Sequence, residues 1–124
     1  MFEIVVEETF SSGHALRGYR GKCENPHGHN YKIRVALAGE RLNEIGLLYD
    51  FKDLKAIIRR ETDALDHQYL NDLEPFRELN PSAENLARFL FEKVRDQLNA
   101  TQGAVVIRSV TVFETDFTAA VYTA

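Results

Sequence analysis

His27-Gly28-His29-Asn30-Tyr31-Lys32-Ile33-Arg34-Val35-Ala36-Leu37-Ala38 alternates apolar and polar side chains over most of its length. In an extended chain successive side chains point to opposite faces, so Tyr31, Ile33, Val35 and Leu37 share one face while Lys32 and Arg34 take the other. His27 and His29 fall on the apolar face at the strand's loop end, with only a glycine between them. Two imidazoles therefore aim at one spot. Neutral imidazole is the commonest protein ligand for zinc, and a catalytic zinc usually takes three protein ligands while keeping one position open. Strands also carry His-x-His without any metal, so a third ligand decides the matter.

Upstream, residues 2 to 12 alternate in the same way, with Phe2, Ile4, Val6 and Phe10 opposed to Glu3, Glu7, Thr9 and Ser11. Continuing the even parity through Ser12 brings His14 to the apolar side. Gly13, Gly18 and Gly21 punctuate a basic loop that ends at Cys23 and Pro26. If the two strands form a hairpin through residues 15 to 26, His14 comes beside His27 and His29. Three neutral nitrogens with no obvious fourth protein ligand are the open, catalytic pattern.

Downstream, Gly39 and Gly46 bracket a turn, and Asp50 or Asp53 can cap a helix whose apolar stripe is Phe51, Leu54, Ile57, Ile58 and Leu65. That helix gives out around Asp66 to Asn71. Asn80-Pro81, a cap followed by proline at the first helical position, starts a second helix with Ala83, Leu86, Ala87, Leu90, Val94 and Leu98 inward and Gly103 at its end. Val105 to Phe113 and Thr118 to Thr123 are strands joined by a turn at Thr115-Asp116-Phe117. The order ββααββ predicts an α+β fold in a single domain over residues 1–124, an antiparallel four-stranded sheet with two helices on one face. Four strands cannot close a barrel, and the open edges of such a sheet invite pairing with another copy.

Composition narrows the function. The chain has 124 residues, 44% hydrophobic and 27% charged, which suits a folded soluble domain and excludes disorder. A net charge of -4 advertises neither nucleic acid nor an anionic membrane. The amino terminus carries acids where a signal peptide has a basic region, and its apolar run is too short to span a bilayer, so a cytoplasmic protein is expected. Cys23 is the single cysteine, which leaves no internal disulfide.

Three further groups can do chemistry. Cys23 lies four residues before His27 and could be a fourth ligand, a thiolate acting as base or nucleophile beside the metal, or a small buried residue. Asp66 precedes His67, and a carboxylate beside an imidazole fixes its tautomer for proton transfer; adjacent residues diverge in a helix, so the pair forms only if the helix has ended, and otherwise His67 merely favours the negative end of the helix dipole. Glu114 closes a largely apolar strand, either exposed at its end or buried to accept paired N–H donors from a heterocycle. Arg17, Arg20 and Lys22 are a solvated loop or a site that gathers a phosphorylated substrate.

Phe10-Ser11-Ser12-Gly13-His14 followed by Cys23-Glu24-Asn25-Pro26-His27-Gly28-His29-Asn30-Tyr31 resembles the tetrahydropterin synthase family, in which a histidine after an F-S-x-x-H strand joins an H-G-H pair. Leu48 to Lys55, Leu65-Asp66-His67, Asn80 to Ala87 and Val112-Phe113-Glu114-Thr115 look like further blocks of that family in its order. The resemblance implies the tunnelling fold, whose subunits assemble as trimers into a barrel with the helices outside, commonly stacked into hexamers. It implies zinc on His14, His27 and His29, Cys23 as the proton-abstracting base, Asp66 and His67 as a second proton-transfer pair, and Glu114 as anchor of the pterin ring. Ser82 stands where threonine is more usual, a departure that touches helix capping more than chemistry.

One spacing separates branches. Members resembling 6-pyruvoyl-tetrahydropterin synthase tend to place five residues between the cysteine and H-G-H, and those resembling 6-carboxy-5,6,7,8-tetrahydropterin synthase tend to place three. Glu24, Asn25 and Pro26 make three here. The resemblance therefore implies conversion of 7,8-dihydroneopterin triphosphate to the carboxytetrahydropterin, with loss of acetaldehyde and triphosphate, on the way to queuosine. The alternatives are the pyruvoyl reaction and a metal- or pterin-binding module without turnover.

Overall fold

The computed structural model describes residues 1–101 and 104–124. β1 (Phe2–His14) and β2 (His27–Gly39) are strands of 13 residues each, paired antiparallel in unbroken register from Phe2 opposite Gly39 to His14 opposite His27. The expected hairpin is therefore present, and β1 runs on to His14. α1 (Phe51–Leu65) and α2 (Ala83–Thr101) follow, then β3 (Val106–Phe113) and β4 (Ala119–Tyr122). The sheet is antiparallel throughout in the order β1-β2-β3-β4, with α1 packed on β1 and α2 lying across β3 and β4.

Period-two burial on the strands meets the helical stripes in one core. Val6 and Phe10 of β1, Tyr31, Ile33, Val35 and Leu37 of β2 and Val110 and Val112 of β3 face Leu54, Ile58 and Leu65 of α1 and Leu86, Leu90 and Val94 of α2. Burying a side chain of this size stabilises the fold by about 1.5–3 kcal/mol, so this core outweighs the exposed pairs Glu7–Arg34 and Glu3–Arg108 on the sheet's open face. A register shift opposite Ala36 and Leu37 leaves Arg108 as the extra residue of a bulge in β3.

Two expectations are corrected. Phe51, assigned to the α1 stripe, is 53% exposed, because the first turn after the Asp50 cap overhangs β1 and shares a surface cleft with Val5, Glu7 and Lys55. Ser82, not Asn80, caps α2: its hydroxyl accepts the Asn85 N–H at 3.1 Å and its carbonyl accepts the Leu86 N–H at 2.9 Å. Asn80 instead clasps the backbone of Arg17 in both directions, at 2.9 Å each. Gly103, expected to end α2, lies outside the described residues. Among the described residues no helix is long and apolar enough to cross a membrane.

Candidate metal centre and active site

The last pair of the β1–β2 register sets His14 directly opposite His27, and His29 follows on the same face. Their ring centres are 4.5 to 5.0 Å apart, and one nitrogen from each ring lies within 4.8 Å of the other two. Among the described residues this is the one such cluster of histidine, cysteine and acidic side chains.

The outer nitrogens decide which lone pairs face inward. His14 Nδ1 lies 2.7 Å from the carbonyl of Pro81 and His27 Nδ1 lies 2.7 Å from that of Asn25. A carbonyl only accepts, so both Nδ1 atoms carry hydrogen and both neutral rings present a bare Nε2. Those two Nε2 atoms are 2.9 Å apart, and the Glu114 carboxylate is 3.5 Å from that of His14. Burial pushes the pKa of His14 down, against the opposing pull of the Pro81 carbonyl and Glu114, so an imidazolium does not resolve the contact. Burial likewise lowers that of His29, whose Nε2 is buried with no hydrogen-bond partner. Two facing acceptors without a proton to share, next to a third imidazole whose buried Nε2 has no hydrogen-bond partner, are what a divalent cation satisfies. The donor set fits zinc.

Tyr31, held neutral because burial drives its phenol well above the usual range, sets its hydroxyl 3.2 Å from His14 Nδ1. Cys23 sits half-buried in a 3₁₀ turn over Lys22–Glu24, its carbonyl accepting the Leu16 N–H at 2.8 Å. Its sulfur is not part of the cluster of ligand atoms. Glu114 follows β3 and borders a small cavity of about 170 Å³ with Ala83, Glu84, Thr118, Ala119 and Ala120.

α1 ends at Leu65, which frees Asp66 and His67 to pair. Asp66 Oδ2 lies 2.8 Å from His67 Nδ1, while Asp66 Oδ1 accepts the Ser11 N–H at 2.8 Å. The Ser11 amide, then His67, hold the Asp66 carboxyl below the usual carboxylate range. His67 adopts a left-handed φ of 57°, donates its own N–H to the Ser11 carbonyl at 2.6 Å, and exposes 81% of its side chain. A cleft of about 360 Å³ has both His29 and His67 in its wall.

Sequence reasoning missed the groups that orient these side chains. Arg17 was assigned to solvent or phosphate, yet its guanidinium donates to the carbonyls of Phe76 at 2.6 Å and of Leu79 and Asn71 at 3.4 Å. It pins the Cys23 loop to the segment that ends in Pro81. Pro81, Asn25 and Ser11 act through backbone atoms, for which side-chain chemistry gives no signal.

The family model described as 6-pyruvoyl tetrahydropterin synthase matches residues 3–124. The 6-carboxy-5,6,7,8-tetrahydropterin synthase of Synechocystis sp. is 35% identical over 127 residues, covering 98% of this chain and 93% of that protein. The 6-pyruvoyl tetrahydrobiopterin synthase of Dictyostelium discoideum is 32% identical over 103 residues, covering 73% and 76%. Among solved structures, the 6-pyruvoyl tetrahydropterin synthase of Caenorhabditis elegans superposes with a TM-score of 0.88 at 30% identity, covering 99% of this chain and 95% of that one.

Proposed function

The chain belongs to the 6-pyruvoyl tetrahydropterin synthase family, and from that premise we propose that it is a zinc-dependent lyase. It converts 7,8-dihydroneopterin triphosphate and one water to 6-carboxy-5,6,7,8-tetrahydropterin, acetaldehyde and triphosphate, in the cytoplasmic route to queuosine. The observation that carries the zinc is the orphaned Nε2 of His29 beside the facing Nε2 atoms of His14 and His27. His14, His27 and His29 would hold the zinc, which would supply Lewis acidity toward the substrate's side chain.

The protein's own groups do the rest. Glu114 accepts N–H donors of the pterin ring, in a cavity walled by the first turn of α2 and the start of β4. Cys23 Sγ takes a proton from the side chain, and His67, oriented by Asp66, moves a proton on the other side of the reacting carbons. With Arg17 committed to three carbonyls, Arg20 and Lys22 meet the triphosphate. The three-residue gap Glu24-Asn25-Pro26 between base and first H-G-H ligand favours the carboxy product. The pyruvoyl reaction is the second reading, favoured by the names of the Dictyostelium relative and the Caenorhabditis structure. Incubation with 7,8-dihydroneopterin triphosphate and mass analysis separates them: acetaldehyde with a carboxytetrahydropterin is expected, a pyruvoyl product without acetaldehyde transfers the assignment, and no turnover by zinc-loaded protein leaves a binding module.

A further inference from the structure

Because Ser82 caps α2, the side chain of Asn80 is released from the role its place before a proline suggests, and it serves another element. Its Oδ1 accepts the Arg17 N–H and its Nδ2 donates to the Arg17 carbonyl, at 2.9 Å each, the two-way exchange that a paired strand would give. Asn71 grips Ala15 in the same two ways, also at 2.9 Å. β1 ends on His14 and β2 begins on His27, so the loop between them, which carries Cys23, leaves one histidine of the cluster and returns to another. Within that loop the Leu16 N–H reaches the Cys23 carbonyl at 2.8 Å. A grip on Arg17 is therefore a grip one residue away from the amide that holds Cys23.

The next residue works on the metal side, where the Pro81 carbonyl faces His14 Nδ1 at 2.7 Å. One dipeptide holds the Cys23 loop by a side chain and a histidine of the cluster by a carbonyl. Its backbone does not depend on that side chain, because Asn85 Nδ2 donates to the Asn80 carbonyl at 2.8 Å and Ser82 is fixed as the cap of α2. The two asparagines differ in what their loss would do. Asn71 is buried, and removing it would strand the N–H and carbonyl of Ala15 away from water. Asn80 is half-buried and its bonds to Arg17 are exposed, so water replaces it and the fold survives while the loop slackens. We infer that Asn80 is a positioning residue: by clamping the loop at Arg17, it sets where Cys23 stands relative to the three histidines. This rests on the role of Cys23 as base in the function proposed above.

A double-mutant cycle tests it, with turnover of 7,8-dihydroneopterin triphosphate measured for zinc-loaded wild type, Asn80→Ala, Cys23→Ala and the double variant. Asn80→Ala should keep its zinc, thermal midpoint and KM and lose on the order of 10² in kcat, as displacement of a catalytic group by about 1 Å does. In the Cys23→Ala background the same substitution should change kcat by less than about twofold, since a side chain that acts through Cys23 has nothing left to position. An equal loss in both backgrounds, an unchanged kcat or lost zinc overturns the inference and leaves the proposed function standing. If the alanine variant melts lower, Asn80→Asp, which keeps the acceptor and gives up the donor, takes its place in the cycle and is read in the same way. Full turnover by Cys23→Ala, or none by wild type, removes the base or the whole reaction from the proposed function and takes this inference with it.

Discussion

At the scale of residues, a carbonyl on each of two histidines determines what the centre can do. Because Pro81 and Asn25 take the Nδ1 hydrogens, both Nε2 lone pairs are committed inward, and only removal of a ring changes the donor set. His29→Ala should therefore abolish stoichiometric zinc by elemental analysis. Cys23, whose sulfur lies outside the cluster, should behave in the opposite sense: Cys23→Ala keeps the zinc and loses about 10² to 10⁴ of turnover, the usual contribution of a general base. Zinc lost together with activity in the Cys23 variant would make the thiolate a ligand instead. The three histidines were legible because period-two parity carries His14, His27 and His29 to one face whatever the loop between them does. Their orienting partners were not, since a main-chain carbonyl is common to every residue and only the path of the loops brings Pro81 to His14.

At the scale of elements, the end of α1 is as consequential as its body. Asp66 closes the helix in extended conformation, and residues 66–69 then run beside β1, with hydrogen bonds to Ser11 and Gly13 and a parallel bridge between Gly13 and Tyr69. The expectation that Asp66 and His67 pair only once the helix has ended was physical, but the docking on β1 depends on backbone groups of a remote strand that pattern does not reveal. The same holds for α2, where Asn80-Pro81 imitates a helix start while Ser82 supplies the cap. Docking carries a pH signature. The Asp66 carboxyl titrates below its ordinary range because the Ser11 N–H and His67 favour its charged form. Its contribution is therefore full above the unfolded-state value, about 3.9, and is lost as pH falls through the lower folded value. Thermal midpoints of wild type and Asp66→Ala should differ by a constant amount above that range and converge below it; a gap that widens on acidification would contradict the assignment.

At the scale of the whole molecule, the sheet is open at both ends. Among the described residues β1 is covered only where residues 66–69 dock, and β4 has no neighbour on its far side. Unpaired N–H and C=O groups along a sheet edge seek a partner, and the apolar side chains beside these edges would otherwise stay wet. Val5 of β1 and Phe51 share a surface cleft, and Val121, 61% exposed, stands on β4. Four strands cannot curl into a barrel, so strand count alone calls for further copies if the sheet is to close. We expect trimers or hexamers by light scattering at micromolar concentration, with a thermal midpoint that rises with protein concentration, as mass action requires of a linked assembly. Phe51→Glu tests where the copies meet. Its ring is half in solvent, so the fold and the three-histidine zinc site should survive. The interface would lose one apolar contact per subunit and gain a charge beside Glu7, shifting assembly to smaller species at the same concentration. A Phe51→Glu protein that assembles like wild type would place the contact elsewhere on the edges. A wild-type monomer at micromolar concentration would refute the barrel itself.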